Sequence, residues 1–254
     1  MPDSIGRKFM RQTRKLDQPL SAQDLGLPQP PLELPFPASA RQIALPSLAE
    51  THVPPLDLLA AIEGRHTSRK YSAQPISLAE LSFLLWCSQG VKKISSRPAT
   101  LRTVPSAGAR HAFETYLLVN RVEGLAPGLY RYLAIEHSLI ELDLSSELCE
   151  QIIHACLEQK QVRNGAVTFL WIAVLERMTW RYGERGYRYL HLDAGHVCQN
   201  LYLAAEAVGC GACAIGAFDE EQLNRLLKLD GEQLFAIYLA SLGKKERSEI
   251  PGLE

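Results

Sequence analysis

The order of segments along the chain predicts an α+β fold. Three observations carry this. There is a meander of short apolar segments in mid-chain, a single long amphipathic helix after it, and no regular strand–helix–strand repeat of the kind a doubly wound sheet needs. The meander is YLLVNRV, GLYRYL and SLIELDL, residues 116–122, 128–133 and 138–144, with a Pro-Gly turn between the first two. VTFLWIAVLE, residues 167–176, is a continuous apolar run of strand length and reads as a central strand. Residues 187–208 put Leu190, Ala194, Val197, Leu201, Ala205 and Val208 on one face at helical spacing.

The remaining elements follow from local signals. DLLAAIEG is a short helix stopped by Gly64, and residues 77–89 form a longer one with Ser77 as cap, Glu80 completing a capping box and Gly90 as terminator. Residues 91–111 are polar and read as a loop, and residues 145–160 as a helix. ACAIGAF after a glycine turn is a short strand, DEEQLNRLLKL is a helix capped by Asp219, and FAIYLASLG is the last strand.

Residues 1–55 stand apart as an extended arm that holds most of the 15 prolines, and residues 56–254 form one globular domain. The arm is either a disordered tail or a strap that packs on a partner subunit. Its apolar residues, such as Leu34, Phe36 and Ile43, are anchors that a plain tail would not need. With 27 basic and 28 acidic residues the net charge is −1, so no global pull towards nucleic acid or anionic membrane exists. No apolar run reaches the roughly 18 residues of a membrane span. The six cysteines, most of them in apolar, helix-like surroundings, read as buried thiols of a reducing, cytoplasmic protein.

Most catalytic motifs are absent or weak. Cys210 and Cys213 have redox or half-zinc spacing, but without a second pair they fit a glycine-rich turn better. His191 and His196, five apart, project from different sides of a helix and do not suit one metal, so no metal site is expected. Ser106 in VPSAGA has no histidine placed to activate it. The stretch RHTSRKY, residues 65–71, is different. In an extended segment Arg65, Thr67 and Arg69 share one side, and two guanidiniums flanking a hydroxyl suit an anion such as a phosphate. A solvated basic face is the alternative. Lys244, Lys245 and Arg247 form a second basic group after the last strand.

Taken in order, these pieces resemble a known family. RHTSRKY, TVPSAGARH (103–111), EGLAPGLYRY (123–132), the segment 181–209 with RYGERGYRYLHLDAGH, and AIGAFDEEQL (214–223) resemble the nitroreductase superfamily, and within it the SagB-type branch that contains azoline dehydrogenases. The resemblance spans about residues 56–245. It implies a three-layer α/β/α sandwich with a mixed, mainly antiparallel sheet, and a homodimer with FMN at the subunit interface.

The resemblance also implies roles. Arg65, Thr67 and Arg69 match the segment that holds the FMN phosphate and ribityl chain, with Thr67 where serine is usual. Pro105, Ser106, Ala107 and Gly108 match the loop that lies against the flavin ring, usually from the partner subunit. Ile215, Gly216 and Ala217 match the strand edge on its other face, and Lys244 and Lys245 the basic position near the phosphate. One residue departs from the branch. Azoline dehydrogenases carry a catalytic lysine before the tyrosine, whereas Arg181 precedes Tyr182 here, and arginine does not serve as a base at working pH. The resemblance thus implies an FMN-dependent oxidoreductase acting on a small or peptide-derived substrate with NAD(P)H or oxygen as the other partner. The arginine leaves open a non-catalytic flavin-binding or scaffold subunit of a peptide-modifying complex.

Overall fold

The structure is a computed structural model and describes residues 4–246. Its strands are β1 (Gln42–Ala44), β2 (Val91–Ile94), β3 (Thr100–Arg102), β4 (Phe113–Val119), β5 (Gly128–Leu133), β6 (Ser138–Asp143), β7 (Val167–Val174), β8 (Cys210–Ile215) and β9 (Leu234–Lys244). Among the described residues seven of them form one sheet, ordered β1-β6-β5-β4-β7-β9-β8, with every neighbouring pair antiparallel. The mid-chain meander supplies β4, β5 and β6, and the apolar run supplies β7, buried along all of its eight residues between β4 and β9. A strand covered on both faces has no need of alternation, which is why its sequence reads as a continuous apolar run.

Helices cover both faces. The helices are α1 (Ile5–Gln12), α2 (Leu48–Thr51), α3 (Leu58–Gly64), α4 (Leu78–Gln89), α5 (Ser146–Ala155), α6 (Lys160–Asn164), α7 (Leu175–Tyr182), α8 (Gly186–Ala207) and α9 (Glu220–Leu226). On one face Leu81, Leu84 and Leu85 of α4 and Leu190, Val197 and Leu201 of α8 pack against Phe113, Leu117, Phe169 and Trp171. On the other, Ile152 of α5, Val162 of α6 and Leu223 of α9 pack against Leu118, Leu170 and Ile172. The result is an α+β sandwich of three layers. The α4 start is the expected capping box, with Glu80 N donating to Ser77 Oγ at 3.1 Å and Ser77 N to Glu80 Oε2 at 2.9 Å. Such a cap contributes roughly 1 kcal/mol.

Several elements differ from the sequence reading, among them α2 within the arm. The polar loop contains the β2–β3 hairpin. The arm begins with a short basic helix, α1, whose cap Ser4 accepts Arg7 N. The end of the apolar run turns into α7, which the sequence hides because its buried face includes Arg177. That charge is paired with Glu114, at 2.6 Å, so it is buried without apolar periodicity.

The same charges hold the arm onto its own chain. Glu114 accepts Leu34 N at 2.9 Å, Arg131 Nη1 donates to Pro35 O at 3.1 Å, and Arg177 Nε donates to Pro31 O at 2.8 Å. Prolines offer no N–H, so the clamp works through their carbonyls. Among the described residues no helix is long and apolar enough to cross a membrane. All six cysteines are free thiols.

Candidate functional site

The RHTSRKY stretch lies along the open edge of β8. Thr67 bridges Ala212 in parallel, and Ser68 N donates to Ala212 O at 3.0 Å, so the backbone is held in the extended form that alternation requires. Ser68 is buried against Gly211, where an added Cβ would come within 2.4 Å of its Oγ. Tyr71 anchors the segment: its hydroxyl donates to Ser68 O at 2.8 Å and its ring presses on Gly243. Burial pushes its phenol well above the ordinary range.

Exposure does not sort the segment into two sides, because His66 and Lys70 are exposed and only Ser68 is buried. Thr67 and Arg69 are exposed and Arg65 is half-buried. Arg65 lies over the Tyr202 ring, 5.4 Å from its centroid, and Thr67 Oγ1 sits 3.3 Å from the Tyr202 hydroxyl. That hydroxyl also accepts Ala214 N at 2.8 Å, tying the basic segment, α8 and β8 together at one atom. His66 turns the other way, its Nε2 3.1 Å from Ser68 Oγ. Among the described residues neither Arg65 nor Arg69 has a carboxylate within ion-pair distance. At the end of β8, Ile215 is buried while Gly216 and Ala217 are exposed, and a Cβ added at Gly216 would meet nothing within 4 Å. The edge therefore combines two cations without carboxylate partners among the described residues, a hydroxyl and two exposed small residues, a set that suits an anionic group joined to a planar ring.

The two lysines are held elsewhere. Lys244 Nζ donates to Glu80 Oε1 and to Val208 O, and Lys245 Nζ donates to Glu206 Oε2 at 2.6 Å. Lys245 also approaches Gly211, the glycine that Ser68 covers. Arg247 lies outside the described residues.

The second group gathers at the other end of α8. Ser106 Oγ donates to Asp193 Oδ2 at 2.6 Å, and Ala107 N donates to both Asp193 oxygens at 3.2 Å. Ser106 Oγ in turn accepts His111 N at 2.9 Å. Burial raises the Asp193 carboxyl above its ordinary value, and the bonds from Ser106 and Ala107 pull it back. Pro105 is exposed at the head of this loop, and Gly108 crosses it with φ of 56°, in the left-handed region. A Cβ on Gly108 would fall 2.5 Å from the Tyr182 hydroxyl and 2.8 Å from Arg181. Arg181 lies over the Tyr182 ring at 5.6 Å, and Tyr182 packs edge-on against Tyr189. His111 is held neutral, its imidazole pushed down to about 3 by burial and by Arg102 and Arg110.

Two residues of this arrangement escaped the sequence reading. Asp193 is in the quoted LDAGH, between two histidines that drew attention instead; both histidines are exposed. Tyr202 sits on the α8 face otherwise read as core. An aspartate on the buried face of an amphipathic helix was the available signal for the first. For Tyr202 no local signal existed. Asp193 and Tyr202 are nine residues apart, so the loop group and the edge group of one chain are separated by roughly 13 Å along α8. Cys210 and Cys213, both in β8, point to opposite faces of the strand and do not converge.

Residues 62–244 match the nitroreductase family, so the chain belongs to that family. It is 33% identical over 204 residues to a protein of Methanocaldococcus jannaschii named as a nitroreductase, covering 80% of this chain and 96% of that one. The trifolitoxin-processing protein TfxB of Rhizobium leguminosarum bv. trifolii is 30% identical over 133 residues, 51% of this chain and 36% of its own length. The crystal structure of a nitroreductase from Anabaena variabilis superposes with a TM-score of 0.67 at 27% identity, over 82% of this chain and 42% of that chain. The chain therefore spans less than half the length of two of these three proteins.

Proposed function

We propose that this nitroreductase-family chain is an FMN-dependent oxidoreductase of the SagB-type group, moving a hydride between a small or peptide-derived substrate and NAD(P)H or oxygen. The observation that carries this reading is the row of Arg65, Thr67 and Arg69 on the open edge of β8, beside the unobstructed Gly216. When bound, FMN supplies the hydride chemistry. Arg65 and Arg69 would neutralise its phosphate, and Thr67 would bond the phosphate or ribityl chain. Backbone N–H groups at Ile215, Gly216 and Ala217 would line one side of the ring. Pro105, Ser106, Ala107 and Gly108 would cover the other, held rigid by Asp193. Lys244 and Lys245 would contribute positive potential to the phosphate end while bound to Glu80 and Glu206.

The separation of the two groups along α8 supports a homodimer. A two-fold axis would set the edge of one chain against the loop of its partner, completing both sites at once. Free thiols and the absence of an apolar span among the described residues agree with a cytoplasmic protein. The likeness to a trifolitoxin-processing protein favours a peptide-derived substrate. Tyr182 would meet the substrate, with Arg181 orienting it and not acting as a base. The test is direct. Purified protein reconstituted with FMN should retain about one flavin per chain, run as a dimer at micromolar concentration, and bleach when NAD(P)H is added. Failure to retain flavin would sink the reading.

A second reading rests on Arg181 in the position where azoline dehydrogenases carry lysine: a flavin-binding or scaffold subunit of a peptide-modifying complex, without turnover. Flavin retained without reduction of any quinone or nitroarene by NAD(P)H would favour it.

A further inference from the structure

Outside the flavin-facing edge, one cleft is built from four separate segments. Gln23 and Gln29 of the arm form one wall, the β2–β3 turn with Arg97 a second, the end of the 105–110 loop with Arg110 a third, and Trp180 and Arg181 of α7 a fourth. Its volume is about 480 Å³, within the range of small-molecule sites. Bonds that fix the arm there include Trp180 Nε1 to Leu27 O at 2.9 Å, Gln23 N to Trp180 O at 2.8 Å and Gln29 Nε2 to Pro98 O at 2.5 Å.

The charge lining this cleft is one-sided. It contains three arginines and no carboxylate. Arg110 lies over the Trp180 ring at 5.2 Å, its Nε bonded to Gly108 O at 3.1 Å, and among the described residues its two terminal nitrogens have no hydrogen bond. Arg181 spends one nitrogen on Gln23 Oε1 at 3.1 Å. Among the described residues neither arginine has a carboxylate within ion-pair distance. Asp24 feels the charge of Arg181, but its Oδ2 already accepts Ser21 N at 3.0 Å and Ser21 Oγ at 2.7 Å. Burial, and next the charge of Arg181, make protonation of Arg110 harder than usual. Two guanidiniums held together beside an indole and a leucine, Leu101, are a costly arrangement that an anion would relieve.

We propose that this cleft binds a small organic acid, its carboxylate between Arg110 and Arg181 and its apolar or aromatic body against Trp180 and Leu101. The ligand site stands on this geometry alone. That its occupant is the substrate rests on the proposed oxidoreductase function, since Gly108 and Arg181 belong to both.

The experiment uses benzoate as probe, with benzamide as its neutral isostere and inorganic phosphate as an anion without a body. Binding is followed by Trp fluorescence and by calorimetry on the full chain. Benzoate should bind at least ~10-fold more tightly than benzamide or phosphate, and more weakly as salt rises. Arg110→Met should weaken it by about 10-fold or more, the loss of a charged hydrogen-bond partner. Arg110→Lys, which keeps the charge but not the fork, should fall between. Circular dichroism and melting temperature of each variant separate lost binding from lost folding. Equal binding of benzoate and benzamide, phosphate binding as tightly as benzoate, or folded Arg110 variants that bind like the parent would overturn the proposal. Benzoate binding without flavin retention would leave the cleft standing and remove the oxidoreductase reading; flavin retention without benzoate binding would do the reverse.

Discussion

Two regions of the chain hang on the same helix, α8, and solve opposite problems. The β8 edge, around Tyr202, is open. Its cations lack carboxylate partners among the described residues, and a Cβ added at its glycine, Gly216, would meet nothing within 4 Å. The 105–110 loop, around Asp193, is closed. Its donors converge on a buried carboxylate and its glycine, Gly108, has no room for a single carbon. A surface awaiting a ligand leaves polar groups uncompensated, whereas a surface that must hold a shape satisfies them internally. The arm sharpens the contrast, because it supports α7 beside the loop and is clamped by Glu114, Arg131 and Arg177.

Removing the carboxylate should separate the regions most strongly. Asp193→Ala strands the Ser106 hydroxyl and the Ala107 N–H in a half-buried setting, a cost of about 2–4 kcal/mol. The midpoint of urea unfolding should drop accordingly, and an unchanged midpoint would show that the loop is not held from α8. The glycines come next. Gly108→Ala combines left-handed strain with a clash, about 1–3 kcal/mol, while Gly216→Val should change stability by less than about 0.5 kcal/mol and instead abolish flavin retention. Equal melting temperatures for the two variants would erase the distinction.

Within the edge the alternation itself can be broken. Arg69→Ala should weaken FMN binding by roughly 10-fold or more, and Lys70→Ala by less than about two-fold, read by fluorescence titration. Similar losses for both would mean that the segment acts as a diffuse basic patch.

A pH-dependent effect concerns the arm. Burial, and then the charge of Glu114, push the Glu33 carboxyl up to about 7. A raised carboxyl favours the protonated form in the folded state. Its contribution is therefore most favourable below the unfolded value of about 4.5 and is lost as pH rises to about 7. Glu33→Gln keeps an acceptor for Ala134 N but cannot ionise. The variant should lose that decline in stability across the window, measured by chemical denaturation at each pH.

The sequence alone determined whatever depends on near neighbours. The capping box at Ser77 and Glu80, the central strand at 167–174 and the buried face of α8 all follow from local spacing. Local rules were too coarse for α7, whose buried arginine breaks the apolar period, and for the hairpin hidden in a polar loop. Only the tertiary structure brought Tyr202 to Thr67, 135 positions away, and Ser106 to Asp193, 87 positions away. It also assigned the two C-terminal lysines to Glu80 and Glu206. Periodicity states which side of an element a residue occupies. Which residue it meets across the core depends on how sheet and helices pack, and that pairing is decided by the whole chain at once.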